Sequence, residues 1–425
     1  MARPAEKRVN KTTLGNGIRI LTKSMPHVRS ISMGVWVNAG ARDESPSESG
    51  LSHLIEHMIF KGTERRSAFQ IAKEFDAIGG HANAFTAMEN TCYHARVMDV
   101  HLETMVDILS DILLNSVFDA TEVDRERPVI LQEIGMVEDN PDEYVHLLSG
   151  HNFWGDHPLG RSILGTRENI LGFDAETIKT FFYRLYQPER MVISAAGNVD
   201  HDALVDLLAG TFESIPSGNP MPERISPSTH AGTGVHYRDL EQTHLCISAP
   251  GLSITDPKRF AGSLLNTILG GNMSSRLFQQ IRENRGLAYS VYSFVNPHID
   301  TGMFGVYAGV DPSRAIESIQ LILNELHRLT VERITEQEIS AAREYTKGNL
   351  LLAQESNDNQ MVRLAQNEIH FGRYSPLKEV MDRIDAVSCD DLINLANAIF
   401  RTDQLALTVL GPMTDKNAFD HLISV

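Results

Sequence analysis

The sequence predicts an α+β protein of two homologous halves, each a mostly antiparallel sheet flanked by helices. Three observations carry this. Strand-like segments come in groups and helix-like segments come in groups, which favours segregated antiparallel sheets over alternating βαβ units. The stretch SGNPMPERISPSTHAGTG at 217–234 has neither a helical nor a strand period, reads as a linker, and divides the 425 residues into parts of similar length. Two pairs of segments also match across that linker at nearly one offset. RMVISAAGNVD at 190–200 pairs with QLALTVLGPMTD at 404–415, their glycines Gly197 and Gly411 lying 214 apart, and the run from Phe118 pairs with the run from Ile334, 216 apart. Such recurrence marks a duplication. The expected domains are therefore 1–216, the linker 217–234, and 235–425.

Taken in order, residues 1–10 are basic without an apolar run, so they do not form a secretory signal. The first strand is expected near Gly17, which makes this segment a short arm, too short for a mitochondrial presequence. Residues 30–38, SISMGVWVN, place Ile31, Met33, Val35 and Val37 on one face, the pattern of a half-buried strand. Residues 91–99 read as a second strand, with counterparts at 242–249 and 302–309. The apolar run 191–196 reads as a buried strand, and no run approaches the ~18 residues that span a bilayer. Helices are expected over 50–60, 67–78, 101–115, 122–138, 257–269, 312–329 and 336–352.

The chain carries 38 basic and 55 acidic side chains, a net charge of −17. Such a field repels phosphate backbones, so general nucleic-acid binding is not expected. It would favour substrates bearing Arg or Lys. Cys92, Cys246 and Cys389 are scattered, with no CxxC pair or disulfide framework, which fits a reducing, cytoplasmic setting.

The segment with chemistry is His53-Leu-Ile-Glu-His57. On a helix the two imidazoles sit one turn apart on one face and could share a Zn²⁺, with Glu56 beside that face. This is HxxEH, the reverse of HExxH. With 17 histidines in the chain, the competing reading is two histidines satisfied by hydrogen bonds on a partly buried helix. Two-histidine zinc sites usually add a third protein ligand. The acidic segment 122–138 offers Glu126 and Glu133, seven residues and so two helical turns apart. Glu133 borders the apolar stripe of Ile130, Leu131 and Ile134, where a partly buried carboxylate would want a cation. Pro128 between the two glutamates would kink or start a helix.

These motifs resemble those of the pitrilysin/insulinase (inverted zincin) metallopeptidases. The nearest likeness is to the mitochondrial-processing-peptidase branch with its bacterial relatives, and it runs from about Leu14 to the C-terminus. The family's glutamate ligand follows HxxEH by about 76 residues, and Glu133 lies 76 after His57. The resemblance implies a processing-peptidase-like metallohydrolase fold and one Zn²⁺ per chain on His53, His57 and Glu133. It implies Glu56 as general base and Glu126 as a support to the site. Gly62-Thr63 after the histidine helix also matches. Residues 79–86, GGHANAFT, match an edge strand on which an extended peptide would pair, with Asn83, Ala84 and Phe85 at the substrate. The competing reading of Asn83 is a turn residue after Gly-Gly. His157-Pro-Leu-Gly-Arg161 reads as structural.

In the second half, Arg282 and Tyr289 match an Arg/Tyr pair that holds the substrate carbonyl. Without the resemblance they would be a surface helix residue and a strand core residue. Gly270-Gly271 is not a phosphate loop, since no GK[ST] follows. The second half has no HxxEH, so it is expected to be metal-free and to supply substrate anchors. The implied function is a zinc-dependent endopeptidase cleaving extended or unfolded peptides in a closed chamber with metal-activated water. The implied assembly is a homodimer, or a heterodimer with an inactive relative, without membrane partners. The alternatives are a non-catalytic structural or partner subunit of the same family, or a dedicated peptide-maturation protease of a biosynthetic pathway.

Overall fold

A computed structural model describes residues 9–218 and 223–423. The first eight residues of the expected arm, and 219–222 of the expected linker, lie outside the described residues. The first half runs β1 (Val9–Thr13), β2 (Arg19–Ser24), β3 (Ser30–Val37), α1 (Leu51–Met58), α2 (Ala68–Ala77), β4 (His81–Thr86), β5 (Thr91–Met98), α3 (Leu102–Leu114), α4 (Ala120–Asp139), α5 (Pro141–Trp154), α6 (Arg167–Gly172), α7 (Ala175–Leu185), β6 (Met191–Gly197) and α8 (His201–Phe212). The second runs β7 (Gly232–Tyr237), β8 (Thr243–Pro250), α9 (Arg259–Leu269), a π-helical turn (Phe278–Glu283), β9 (Ala288–Pro297), β10 (Gly302–Val310), α10 (Ala315–Val331), α11 (Glu336–Ala353), α12 (Asn357–Phe371), α13 (Leu377–Asp385), α14 (Cys389–Ile399), β11 (Ala406–Gly411) and α15 (Asn417–Asp420).

The two sheets repeat one topology. The first has the order β1-β2-β6-β3-β5-β4 and the second β7-β11-β8-β10-β9. Apart from the extra β1, every strand has a counterpart in the same place. In each sheet a single parallel pair, β2 with β6 and β7 with β11, joins otherwise antiparallel neighbours. The fold is the α+β duplication that the sequence implies. The first strand begins at Val9, earlier than expected. VNKTT has no apolar alternation, and as an edge strand it needs none.

Residues group into two compact units: 1–135, 162–224 and 352–376 in one, and 136–161, 225–351 and 377–425 in the other. Each takes most of its residues from one half of the sequence and one helix from the other half. Helix α12 packs on β2, β3 and β6 of the first unit, and α5 packs on β8 and β11 of the second. The two helices begin 216 residues apart (357 − 141), the offset of the sequence repeat.

This exchange corrects the expectation that β3 is half-buried. Met33, Val35 and Val37 face the main core with α1 and α3, while Trp36 on the other face meets Met361, Leu364 and Ala365 of α12. Trp36 Nε1 donates to Ser194 Oγ at 3.1 Å, so even its polar atom is satisfied. Val145 of α5 covers Cys246, Tyr307 and Leu410 of the second sheet in the same way. The three cysteines are free and buried. Among the described residues no helix is long and apolar enough to cross a membrane.

A candidate metal centre on two helices

Helix α1 is short and would be marginal alone, so its ends are fixed by neighbours. The buried Glu44 carboxylate accepts from Gly50 N at 2.9 Å and Ser52 N at 2.7 Å, where a negative charge complements the helix dipole. Gly50, which caps the helix, has φ +103°, and a Cβ there would sit 2.9 Å from Leu164 O. Only glycine fits this entry. At the other end, Thr63 Oγ1 donates to Asp111 Oδ2 at 2.7 Å and accepts from Arg66 N at 2.9 Å. Asp111 also binds Arg65, Arg66 and Asn115. Burial alone would raise its carboxyl, but these bonds outweigh it and hold the carboxyl down to about 2. The Gly62-Thr63 pair of the sequence is thus the hinge pin of the turn that follows α1.

From this frame His53 and His57 project side by side, ring centroids 4.6 Å apart. Glu133 reaches them from α4. Its Oε2 lies 3.5 Å from His53 Nε2 and 3.6 Å from His57 Nε2, and one donor atom from each of the three residues falls within 4.8 Å of the others. Two ligands at the ~2.0–2.1 Å zinc bond length and a tetrahedral angle stand about 3.3 Å apart, so both Glu133–histidine separations are close to those of ligands sharing one zinc ion. Burial, then the neighbouring His57, lowers the His53 imidazole to about 4. His53 is therefore neutral at pH 7, as a metal ligand must be.

Glu126 sits on the same helix two turns before Glu133. Its Oε1 accepts from His57 Nδ1 at 2.8 Å and its Oε2 pairs with Lys61 at 2.5 Å. The bond to Nδ1 leaves Nε2 of His57 free to face the metal position. Burial would raise the Glu126 carboxyl, and the bonds from Lys61 and His57 bring it below its usual range. Pro128 neither starts nor ends α4, which continues from Ala120 to Asp139 around it. The contact of Glu126 with His57 is made despite that proline.

Glu56 accepts from Thr86 Oγ1, the last residue of β4, at 2.7 Å. Burial pushes the Glu56 carboxyl up, while the Thr86 bond and the nearby His57 work against that rise. Strand β4 is the open edge of its sheet, and Asn83 lies within it, paired with His94. Ala82 and Ala84 pack toward the main core, whereas the Phe85 ring meets Trp36 at 5.5 Å on the opposite face. By strand alternation Asn83 shares the Phe85 face, and Thr86 shares the face of Glu56.

Arg282 and Tyr289 belong to the second unit. The Arg282 guanidinium lies 4.8 Å from the centroids of both Phe278 and Tyr289. Tyr289 is the second residue of β9 but is 80% exposed, so the strand-core reading of it does not hold. His157 accepts from Leu159 N at 3.2 Å and starts a single helical turn, a structural use of its segment. Two side chains at the centre, Thr86 and Lys61, escaped the sequence reading. The alternation of Ala82, Ala84 and Thr86 was the available signal for the first, and the one-turn spacing of His57 and Lys61 for the second.

The chain matches known proteins along almost its whole length. Residues 19–167 match the model for insulinase (peptidase family M16), and 172–345 match the peptidase M16 inactive domain. An "uncharacterized zinc protease" of Streptomyces coelicolor is 40% identical over 96% of this chain and 91% of its own. One of Bacillus subtilis is 38% identical over 95% of this chain and 98% of its own. A Helicobacter pylori protease structure has the same fold, with a TM-score of 0.90 and 22% identity over 96% of this chain and all of its own.

Proposed function

The chain belongs to the insulinase family of peptidases, family M16, and from that membership and the site geometry we propose that it is a zinc-dependent endopeptidase of extended or unfolded peptides. The observation that carries the reading is the convergence of His53, His57 and Glu133 on one point. When bound there, zinc supplies Lewis acidity that activates water toward neutral pH and polarises a peptide carbonyl. Glu56 takes the proton from the attacking water and hands it to the leaving nitrogen. Glu126 holds His57 in the ligating tautomer. The open edge of β4 pairs with the peptide main chain near Asn83, Ala84 and Phe85.

Arg282 and Tyr289 steady the substrate carbonyl as the tetrahedral carbon forms. The second half is metal-free in this reading, which its match to a domain described as inactive supports. A chamber closed by a second copy of the chain, in the cytoplasm, belongs to the same proposal and rests on the family resemblance. The non-catalytic alternative gains nothing from the site, since metal donors and base occur together.

Glu56→Gln tests the reading. Cleavage of an unstructured peptide should fall about 10²–10⁴-fold while one zinc per chain remains bound. Cleavage at the wild-type rate would refute it.

A further inference from the structure

We infer that Thr86 is the positioning residue for Glu56, fixing one carboxylate oxygen so that the other is presented for proton transfer. The inference rests on the peptidase reading and deepens it. Thr86 Oγ1 lies 2.7 Å from Glu56 Oε2, against 3.4 Å from the Ser52 carbonyl. A hydroxyl has one proton to give, and distance assigns it to the carboxylate. The backbone N–H of Thr86 also favours the charged Glu56 carboxylate, so a single residue of the edge strand holds the base by both side chain and main chain. Without the hydroxyl contact the carboxylate would be less tightly fixed, because its terminal torsion has broad, shallow wells.

The placement of Thr86 gives the contact a second consequence. Thr86 ends the edge strand β4 and pairs across the ladder with Thr91, whose own hydroxyl donates to Ala39 O. Its backbone is therefore fixed by the sheet and its side chain by Glu56. A peptide laid along β4 would be registered against the same strand that orients the base. Strand and base would keep one geometry through turnover, which is the requirement for a near-attack arrangement. Thr86 touches no reacting atom and acts only through Glu56.

The test compares Thr86→Val, which keeps the shape and removes the hydroxyl, with Thr86→Ser, which keeps the hydroxyl. Kinetics on an unstructured peptide are measured beside zinc affinity of the metal-free chain and its thermal midpoint. Thr86→Val should lower kcat about 10–100-fold with KM within about twofold, and Thr86→Ser should recover most of the loss. Zinc affinity should change less than about threefold in both, since Thr86 contacts no ligand. Should the valine variant fold poorly, Thr86→Ala is read by the same criteria. The inference is overturned if the hydroxyl-free variants keep wild-type kcat, or if serine fails to rescue them. It is equally overturned if their loss tracks a matching loss of zinc or of stability. Glu56→Gln, assayed in parallel, separates the failures. An inactive Glu56→Gln beside a fully active Thr86→Val sinks only the role of Thr86. An active Glu56→Gln sinks the peptidase reading and this inference with it.

Discussion

Removing the charge on Glu126 should weaken zinc binding without removing a ligand. Its Oε1 takes the Nδ1 proton of His57 at 2.8 Å, and its Oε2 is held by Lys61 at 2.5 Å. The side chain is 7% exposed, so no water shell replaces the bond when it is lost. Glu126→Gln keeps the shape but turns a charge-assisted bond into a neutral one, roughly half as strong. Loss of such an outer partner typically costs 10–100-fold in metal affinity. We expect about tenfold for Gln, equivalent to ~1.4 kcal/mol, and up to about a hundredfold, ~2.7 kcal/mol, for Glu126→Ala. Lys61 is left without its partner in both, but its side chain is 31% exposed and the ammonium can turn to water. Adding Lys61→Met to Glu126→Gln removes that complication. The assay is competition for zinc against a chromophoric chelator, on metal-free protein whose melting is checked separately. Zinc affinities within about twofold of wild type for both variants would refute the argument that His57 depends on Glu126.

Two further outcomes follow from the scaffold. Asp111, held down to about 2 by its arginine, asparagine and threonine bonds, has a folded-state pKa below its unfolded one. Its stabilisation is therefore complete above about pH 4 and is lost as pH falls toward 2, an effect of roughly 2–3 kcal/mol. Asp111→Asn should lower the thermal midpoint at pH 7 and flatten its acid dependence; an unchanged slope between pH 5 and 2 would contradict this. Met361→Ala should destabilise the first unit by about 2–5 kcal/mol, because Met361 is buried in the cluster under Trp36. Denaturant melting with no change in midpoint would contradict the packing of α12 on that sheet.

What could be read from the sequence was what local spacing encodes. His53, Glu56 and His57 are fixed by one helical turn, and Glu133 by its border with an apolar stripe together with the family distance. The strands β5, β6, β8 and β10, and the core face of β3, carry their burial in their own residues. Helix α12 does not. Its sequence NDNQMVRLAQNEIHF is largely polar, and its buried face includes Asn357, Gln360 and Glu368. Those groups bond to Ser30, Lys23 and Lys11, more than 300 positions away. The apolar positions Met361, Leu364 and Ala365 have a helical spacing, but nothing in that spacing says that their partners lie in the other half of the chain. Thr86 was hidden for a related reason: a threonine ending a strand is ordinary until the fold brings Glu56 beside it. The Tyr289 side chain shows the converse, a residue that strand alternation would bury and the structure leaves in the open.

The central claim is that one zinc ion is held jointly by His53, His57 and Glu133. Elemental analysis of the purified chain, with His57→Ala and Glu133→Gln beside it, tests that claim most directly. The account predicts one zinc per wild-type chain and loss of the metal in both variants. Zinc retained at full occupancy when either residue is replaced would contradict it.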